Sequence, residues 1–226
     1  MDYKIYNVIY KEEQSQKCEF DIYFNKVNSI AQKSYLFEYN PIIDILSNTE
    51  RHDYIGIFSW KFPEKTMFFK KKLDFLFKSY KNYDVYTVCL GFIQLDKRYY
   101  QFTEEYHPGF FELFKLICND LNLTVAEPKY TIYSNFVIAK WEVYQEFLEK
   151  ILKPAIELLE TKYKYLAWKD AQYCGPNKAG LTPDKLKEAT GLDYYTFHTF
   201  VLERLWSAYL ESNSYLKVIN LAKIKI

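Results

Sequence analysis

Two hydrophobic periods run through the chain, one near two residues and one near 3.6, and they take turns. Lys4 to Tyr10 alternates polar and apolar positions and predicts a strand. Asp53-Tyr-Ile-Gly-Ile-Phe-Ser59 and Tyr83-Asp-Val-Tyr-Thr-Val-Cys-Leu90 are short β-rich runs, apolar enough to be buried on both faces. Between them Met67 to Tyr80 places apolar residues at 68, 69, 73, 76, 77 and 80, a helical spacing with lysines outside. Pro108 is expected to open a helix whose broad apolar face comprises Phe110, Phe111, Leu113, Phe114, Leu116 and Ile117. Thr131 to Ala139 predicts another strand, followed from Trp141 by a helix that Pro154 should end or kink. Thr182-Pro-Asp combines a capping hydroxyl, a proline and an acid, and starts a helix that runs to Thr190-Gly191. A last helix covers about Thr196 to Glu211, and Leu216 to Ile226 alternates as an edge strand.

Strands alternating with longer helices predict an α/β fold. The expected architecture is a mainly parallel central sheet flanked by helices, Rossmann-like, with a helical C-terminal part from about residue 141. No linker, repeat or low-complexity tract divides residues 1–226, so a single domain is expected, with one loop at Cys174-Gly-Pro-Asn-Lys-Ala-Gly180. Ligands of such sheets bind where strands end and turn into helices. That rule nominates Ser59 to Thr66, the stretch after Leu90, and the turn Ala139-Lys140-Trp141.

Charge and cysteine usage narrow the function classes. Lys and Arg total 30 against 29 acids, so the net charge of +1 gives no generic attraction to nucleic acid or acidic membranes. The longest uncharged stretch, Val85 to Leu95, is 11 residues, well short of the roughly 18 to 20 that span a bilayer. With no signal-peptide pattern at the start, a cytoplasmic location is expected. Cys18, Cys89, Cys118 and Cys174 form no CxxC pair, which fits reduced thiols rather than a zinc site. Aromatics make up 20% of the chain, but Lys, Tyr, Phe, Ile and Asn rise together as a base-composition bias would make them, so they bound the core and name no ligand. Neither GxGxxG, GxxxxGK[ST] nor GxSxG occurs, which disfavours dinucleotide and P-loop sites and the α/β-hydrolase nucleophile turn.

The remaining polar islands are the candidate chemistry. Lys61, Lys65 and Thr66 are suited to a diphosphate, with Ser59 beside them and Trp60 to stack on a base or sugar; equally, Lys65 and Thr66 begin a solvated helix. Asp84 is placed to accept a ribose hydroxyl, ligate a metal or act as base, or else to cap a strand. Glu104-Glu105-Tyr-His107-Pro-Gly109 is either an acid/base or metal cluster or a hydrogen-bonded turn. Ser134-Asn135 interrupts an aromatic strand. Glu203-Arg204 beside an apolar stripe is a substrate-holding pair, a structural ion pair or a surface pair.

The order of several segments resembles a group of bacterial proteins related to capsular and exopolysaccharide glycosyltransferases. The matching stretches are Tyr35-Leu-Phe-Glu-Tyr-Asn-Pro-Ile42, Tyr54-Ile-Gly-Ile-Phe-Ser-Trp-Lys-Phe62 with Lys65-Thr66, Tyr83-Asp-Val-Tyr86, His107-Pro-Gly109, Tyr133-Ser-Asn-Phe-Val-Ile-Ala-Lys140 and Phe200-Val-Leu-Glu-Arg-Leu205. The resemblance implies a nucleotide-sugar (GT-A-like) fold, with a nucleotide sugar and a glycan acceptor as partners. Asp84, Glu203 and His107 then become the catalytic candidates. Ser59, Trp60, Lys61, Lys65, Thr66, Asn135 and Arg204 become the substrate-binding ones. Such folds commonly hold Mn²⁺ or Mg²⁺ through Asp-x-Asp, yet no two aspartates here are two apart, and the nearest substitute is Glu19-Phe-Asp21. That departure keeps a non-catalytic glycan- or protein-binding role open.

Overall fold

The computed structural model describes residues 2–27, 29–88, 99–173 and 180–224. Cys89, Cys174, the stretch after Leu90, most of the expected loop at 174–180 and the last two residues of the tail lie outside them. Among the described residues six strands form one sheet: β1 (Tyr3–Ile9), β2 (Asp21–Phe24), β3 (Tyr54–Ser59), β4 (Val85–Thr87), β5 (Val137–Lys140) and β6 (Val218–Asn220), in the order β2-β1-β3-β5-β4-β6. The β1–β2, β1–β3 and β4–β6 pairs are parallel, whereas β5 runs antiparallel to both β3 and β4. The sheet is therefore mixed but mostly parallel.

The reversal of β5 moves one expectation. A strand that enters at the carboxyl edge leaves at the amino edge. The turn Ala139-Lys140-Trp141 thus sits opposite the edge for which it was nominated, with Lys140 in register with Tyr54 at the start of β3. The carboxyl edge instead receives the segment before β5, Ser134 to Phe136.

Helices cover both faces, and strand alternation sorts the side chains between them. Ile5, Tyr54, Phe58, Tyr86 and Ile138 point to the layer holding α2 (Phe62–Thr66) and α3 (Lys70–Ser79). Val8, Ile55, Ile57, Val85, Val137 and Ala139 point to the thicker layer. That layer contains α1 (Tyr39–Asn48), α4 (Tyr99–Tyr106), α5 (Phe110–Asp120), α6 (Trp141–Phe147), α7 (Lys153–Glu160), α8 (Lys164–Ala167), α9 (Pro183–Thr190) and α10 (Phe197–Ser212). All six β3 residues are buried, as a strand covered on both faces requires. Gly56 lies between Ile5 and Ile138 on the α3 side; a Cβ there would come within 2.9 Å of Ile138 Cγ1.

Local chemistry explains where elements start and stop. Pro154 does not end its helix: the ladder widens into a π-turn over Leu148–Leu152 just before it, which accommodates the missing donor, and α7 continues to Glu160. Thr182 is extended ahead of Pro183, and Gly191 ends α9 in the left-handed region at φ 84°. Pro108 is not the first residue of α5, because the left-handed Gly109 intervenes as its cap. The strand expected from Thr131 is only Val137–Lys140, since Ser134 and Asn135 both adopt positive φ and break the extended run.

Candidate functional site

The carboxyl edge has one topological switch point. From β1 the chain moves to one side to form β2, then crosses to the other side of β1 to form β3, so connections diverge between the ends of β1 and β3. Tyr10 follows the first of these ends, and Ser59, Trp60 and α2 follow the second. Ser134 and Asn135 arrive at the same edge ahead of β5.

Four of the expected residues meet here. Lys65, exposed near the end of α2, donates from Nζ to the Ser134 hydroxyl at 2.9 Å. The Ser134 amide donates to Glu203, whose other carboxylate oxygen accepts from Arg204 Nη1. Arg204 is buried; its Nε donates to Thr103 Oγ1 at 3.1 Å, and its guanidinium lies 4.7 Å from the Tyr133 ring centroid and 5.4 Å from that of Tyr99. Asn135, also buried, accepts from the Tyr39 hydroxyl at 3.3 Å.

The same ring of groups includes Glu38, which pattern reading did not single out. Glu38 caps the start of α1, faces the Tyr10 hydroxyl and lies in the fields of Lys65 and Glu203. Desolvation is the largest influence on it and pushes its carboxyl pKa up, although its surface remains partly open. Burial also works to raise Glu203, but Arg204, Lys65 and the Ser134 amide outweigh it and hold Glu203 below the usual carboxylate range. Two neighbouring carboxyls are thus driven in opposite directions by their surroundings.

Four of the eight non-glycine residues with positive φ among the described residues lie near this ring. Phe37 (φ 49°), Met67 (φ 57°), Ser134 (φ 56°) and Asn135 (φ 53°) are non-glycine residues with positive φ, and they flank or carry Glu38, Lys65 and the Asn135 amide. Such residues persist only where surrounding structure imposes them.

The other expected residues separate from the ring to different degrees. Ser59 is buried at the end of β3, where its Oγ accepts the Lys61 amide at 3.2 Å. Trp60 lies on the outer rim, flanked by the Lys17 ammonium at 5.0 Å and the Lys61 ammonium at 5.2 Å. Thr66 turns inward: its hydroxyl donates to Phe62 O at 2.7 Å and accepts the Phe68 amide at 3.2 Å, so its bonding is local. His107 is buried against the Phe200 ring, 3.5 Å between centroids, one helical turn from Arg204. Its Nδ1 donates to the Gln172 and Ala171 carbonyl oxygens at 2.8 and 3.2 Å. Desolvation lowers its pKa, which keeps the ring neutral near pH 7. Glu104 is occupied as the cap of α5, accepting the Gly109 and Phe111 amides at 2.8 and 2.7 Å.

Asp84 lies at the amino edge, away from the ring, because it precedes β4 rather than following it. It accepts from Lys140 Nζ and from the Lys217 amide, each at 2.8 Å, and tethers β6 to the sheet. Burial tends to raise its pKa, but these partners hold it below the ordinary value. It serves as the strand cap that the sequence offered as its alternative.

Among the described residues no three His, Cys, Asp or Glu side chains converge as a metal site would require. Glu19 accepts the Lys70 amide and Asp21 pairs with Lys4, so the substitute pair is engaged elsewhere. The described donor set does not fit Mn²⁺ or Mg²⁺ held by the protein alone, and no step below runs through one. Compared with known proteins, the chain matches no family model, no curated protein and no solved structure.

Proposed function

We propose that the ring at the carboxyl edge binds a nucleotide sugar and that the chain transfers the sugar to a glycan hydroxyl in surface-polysaccharide assembly, on a GT-A-like variant of the α/β fold. The observation that carries this reading is the meeting of Lys65, Asn135 and the Glu203-Arg204 pair, from three separate segments, with Glu38 beside the strand-order switch point. Lys65 is exposed and hydrogen-bonds a neutral hydroxyl, so its ammonium, although it lies in the fields of Glu38 and Glu203, is within reach of a diphosphate.

In this scheme Glu38 accepts the proton of the acceptor hydroxyl. Its raised proton affinity makes it a better base than Glu203, which Arg204 and the Ser134 amide keep ionised and weakly basic. The acceptor oxygen forms the new bond to the sugar C1 as the bond from C1 to the phosphate oxygen breaks. The electron pair leaves with the nucleoside diphosphate, and the Lys65 ammonium stabilises the developing charge. In this scheme the Trp60 face stacks on the base and Asn135 orients the sugar.

One observation favours a second reading, binding without turnover: Arg204 and Glu203 satisfy each other and hold Ser134, as a structural ion pair would. Thermal-shift measurements with nucleoside diphosphates and nucleotide sugars, with and without Mn²⁺, test the site itself. Stabilisation by a nucleotide sugar is expected, and a flat response across the panel overturns both sugar-nucleotide readings. Product formation that Glu38→Gln abolishes while binding persists selects transfer. Binding with no sugar transferred to any glycan offered selects the second.

A further inference from the structure

The segment that supplies Lys65 also carries a surface that the proposed chemistry does not use. Residues 67–81 contain five lysines against Asp74, a local charge of +4 in a chain whose total is +1. Large apolar side chains stand exposed in the same stretch: Met67 at 71%, Phe69 at 48% and Phe75 at 55%. On α3, Lys71, Phe75 and Lys78 recur at i, i+4 and i+7, forming a stripe opposite the buried Leu73, Leu76 and Phe77. The nearby acids are engaged. Glu64 pairs with Lys17 at 2.8 Å, Asp74 accepts from the Tyr3 hydroxyl, and Glu19 caps α3 at the Lys70 amide. Among the described residues no ion pair involves Lys70, Lys71, Lys78 or Lys81.

We infer that this face docks on the surface of an anionic lipid bilayer. Exposed methionine and phenylalanine side chains among lysines that form no ion pair within the described residues match the boundary of such a bilayer. The apolar groups enter the outer acyl region while the ammoniums remain among phosphate headgroups. The complementarity is local, so the nearly neutral total charge does not oppose it beyond a Debye length of about 8 Å. No helix among the described residues is long and apolar enough to cross a membrane, and the proposed contact is with the bilayer surface. Since Lys65 lies two residues before Met67, docking brings the edge of the carboxyl-edge ring close to the lipid.

Flotation of the full chain with vesicles of phosphatidylcholine alone, or of phosphatidylcholine mixed with phosphatidylglycerol, tests this. Binding is expected only to the mixed vesicles, with a loss of about tenfold or more on raising the salt or in Lys71→Glu/Lys78→Glu. Phe69→Ser/Phe75→Ser should also release the protein, although its lysines remain. Each variant is compared with the parent by thermal melting, so that lost binding is not lost folding. The fluorescence of Phe75→Trp should shift to the blue on mixed vesicles. No binding to mixed vesicles, equal binding to neutral ones, or lysine-dependent binding to a single-stranded oligonucleotide without vesicle binding overturns the inference.

Discussion

Glu203 accepts the backbone amide of Ser134, and Ser134 in turn accepts the ammonium of Lys65 at 2.9 Å. This relay ties α10 to the segment before β5 and to α2, three elements far apart in sequence, and the first two predictions concern its ends.

Lys65→Ala removes an exposed charge and no buried packing, so the fold should be unaffected. Affinity for a nucleoside diphosphate should fall about ten- to a hundredfold, the scale of one hydrogen bond to a charged group. Isothermal titration calorimetry beside a melting curve checks both halves of the expectation.

Arg204→Ala leaves Glu203 facing the interior without its guanidinium. Destabilisation of about 3 kcal/mol is expected, the low end for breaking a buried pair because Glu203 keeps some solvent access. Adding Glu203→Gln should recover part of that loss, since the stranded charge disappears with it. Urea denaturation of both variants reads the difference.

Glu38 and Glu203 should oppose each other in the pH dependence of stability. The pKa of Glu38 is raised on folding, so its favourable contribution is present below its unfolded value and is lost as pH rises through the folded one. The pKa of Glu203 is lowered, so its contribution is present above its unfolded value and is lost as pH falls through the folded one. Glu38→Gln should therefore stabilise the protein near pH 7 and change little in acid. Denaturation midpoints measured across the acidic range give the sign directly; a Glu38→Gln protein less stable at neutral pH contradicts the assignment.

Gly56→Ala should cost about 1–3 kcal/mol, because the added methyl meets Ile138 Cγ1 at 2.9 Å in a sheet closed on both faces. The same denaturation assay measures it. Ile138→Ala, which removes the clashing Cγ1, should cost less in the Gly56→Ala background than in the parent.

Some of the candidate site was legible in the chain. Ser134-Asn135 stood out as polar residues within an aromatic run, and Glu203-Arg204 as charges beside an apolar helical stripe, because a buried polar group contradicts the local pattern. Glu38 gave no such contrast. It lies in a stretch quoted for the resemblance, but a lone acid before a helix reads as a cap. Asp84 misled for the converse reason: a strand-adjacent aspartate looks the same at either end of the strand, and the two ends lie on opposite edges of the sheet.

The sequence by itself determined the local elements. The alternation of Lys4 to Tyr10, the apolar run at Tyr54 to Ser59 and the 3.6-residue stripe of α5 each follow from backbone period and side-chain burial, which neighbouring residues are enough to set. Only the tertiary structure decided that β5 runs backwards between β3 and β4. That reversal brings Ser134 and Asn135 to the carboxyl edge and sends Lys140 to Asp84. Strand direction within a sheet depends on pairing between segments distant in sequence, here Gly56 with Ile138 and Thr87 with Val137, and no local period encodes it.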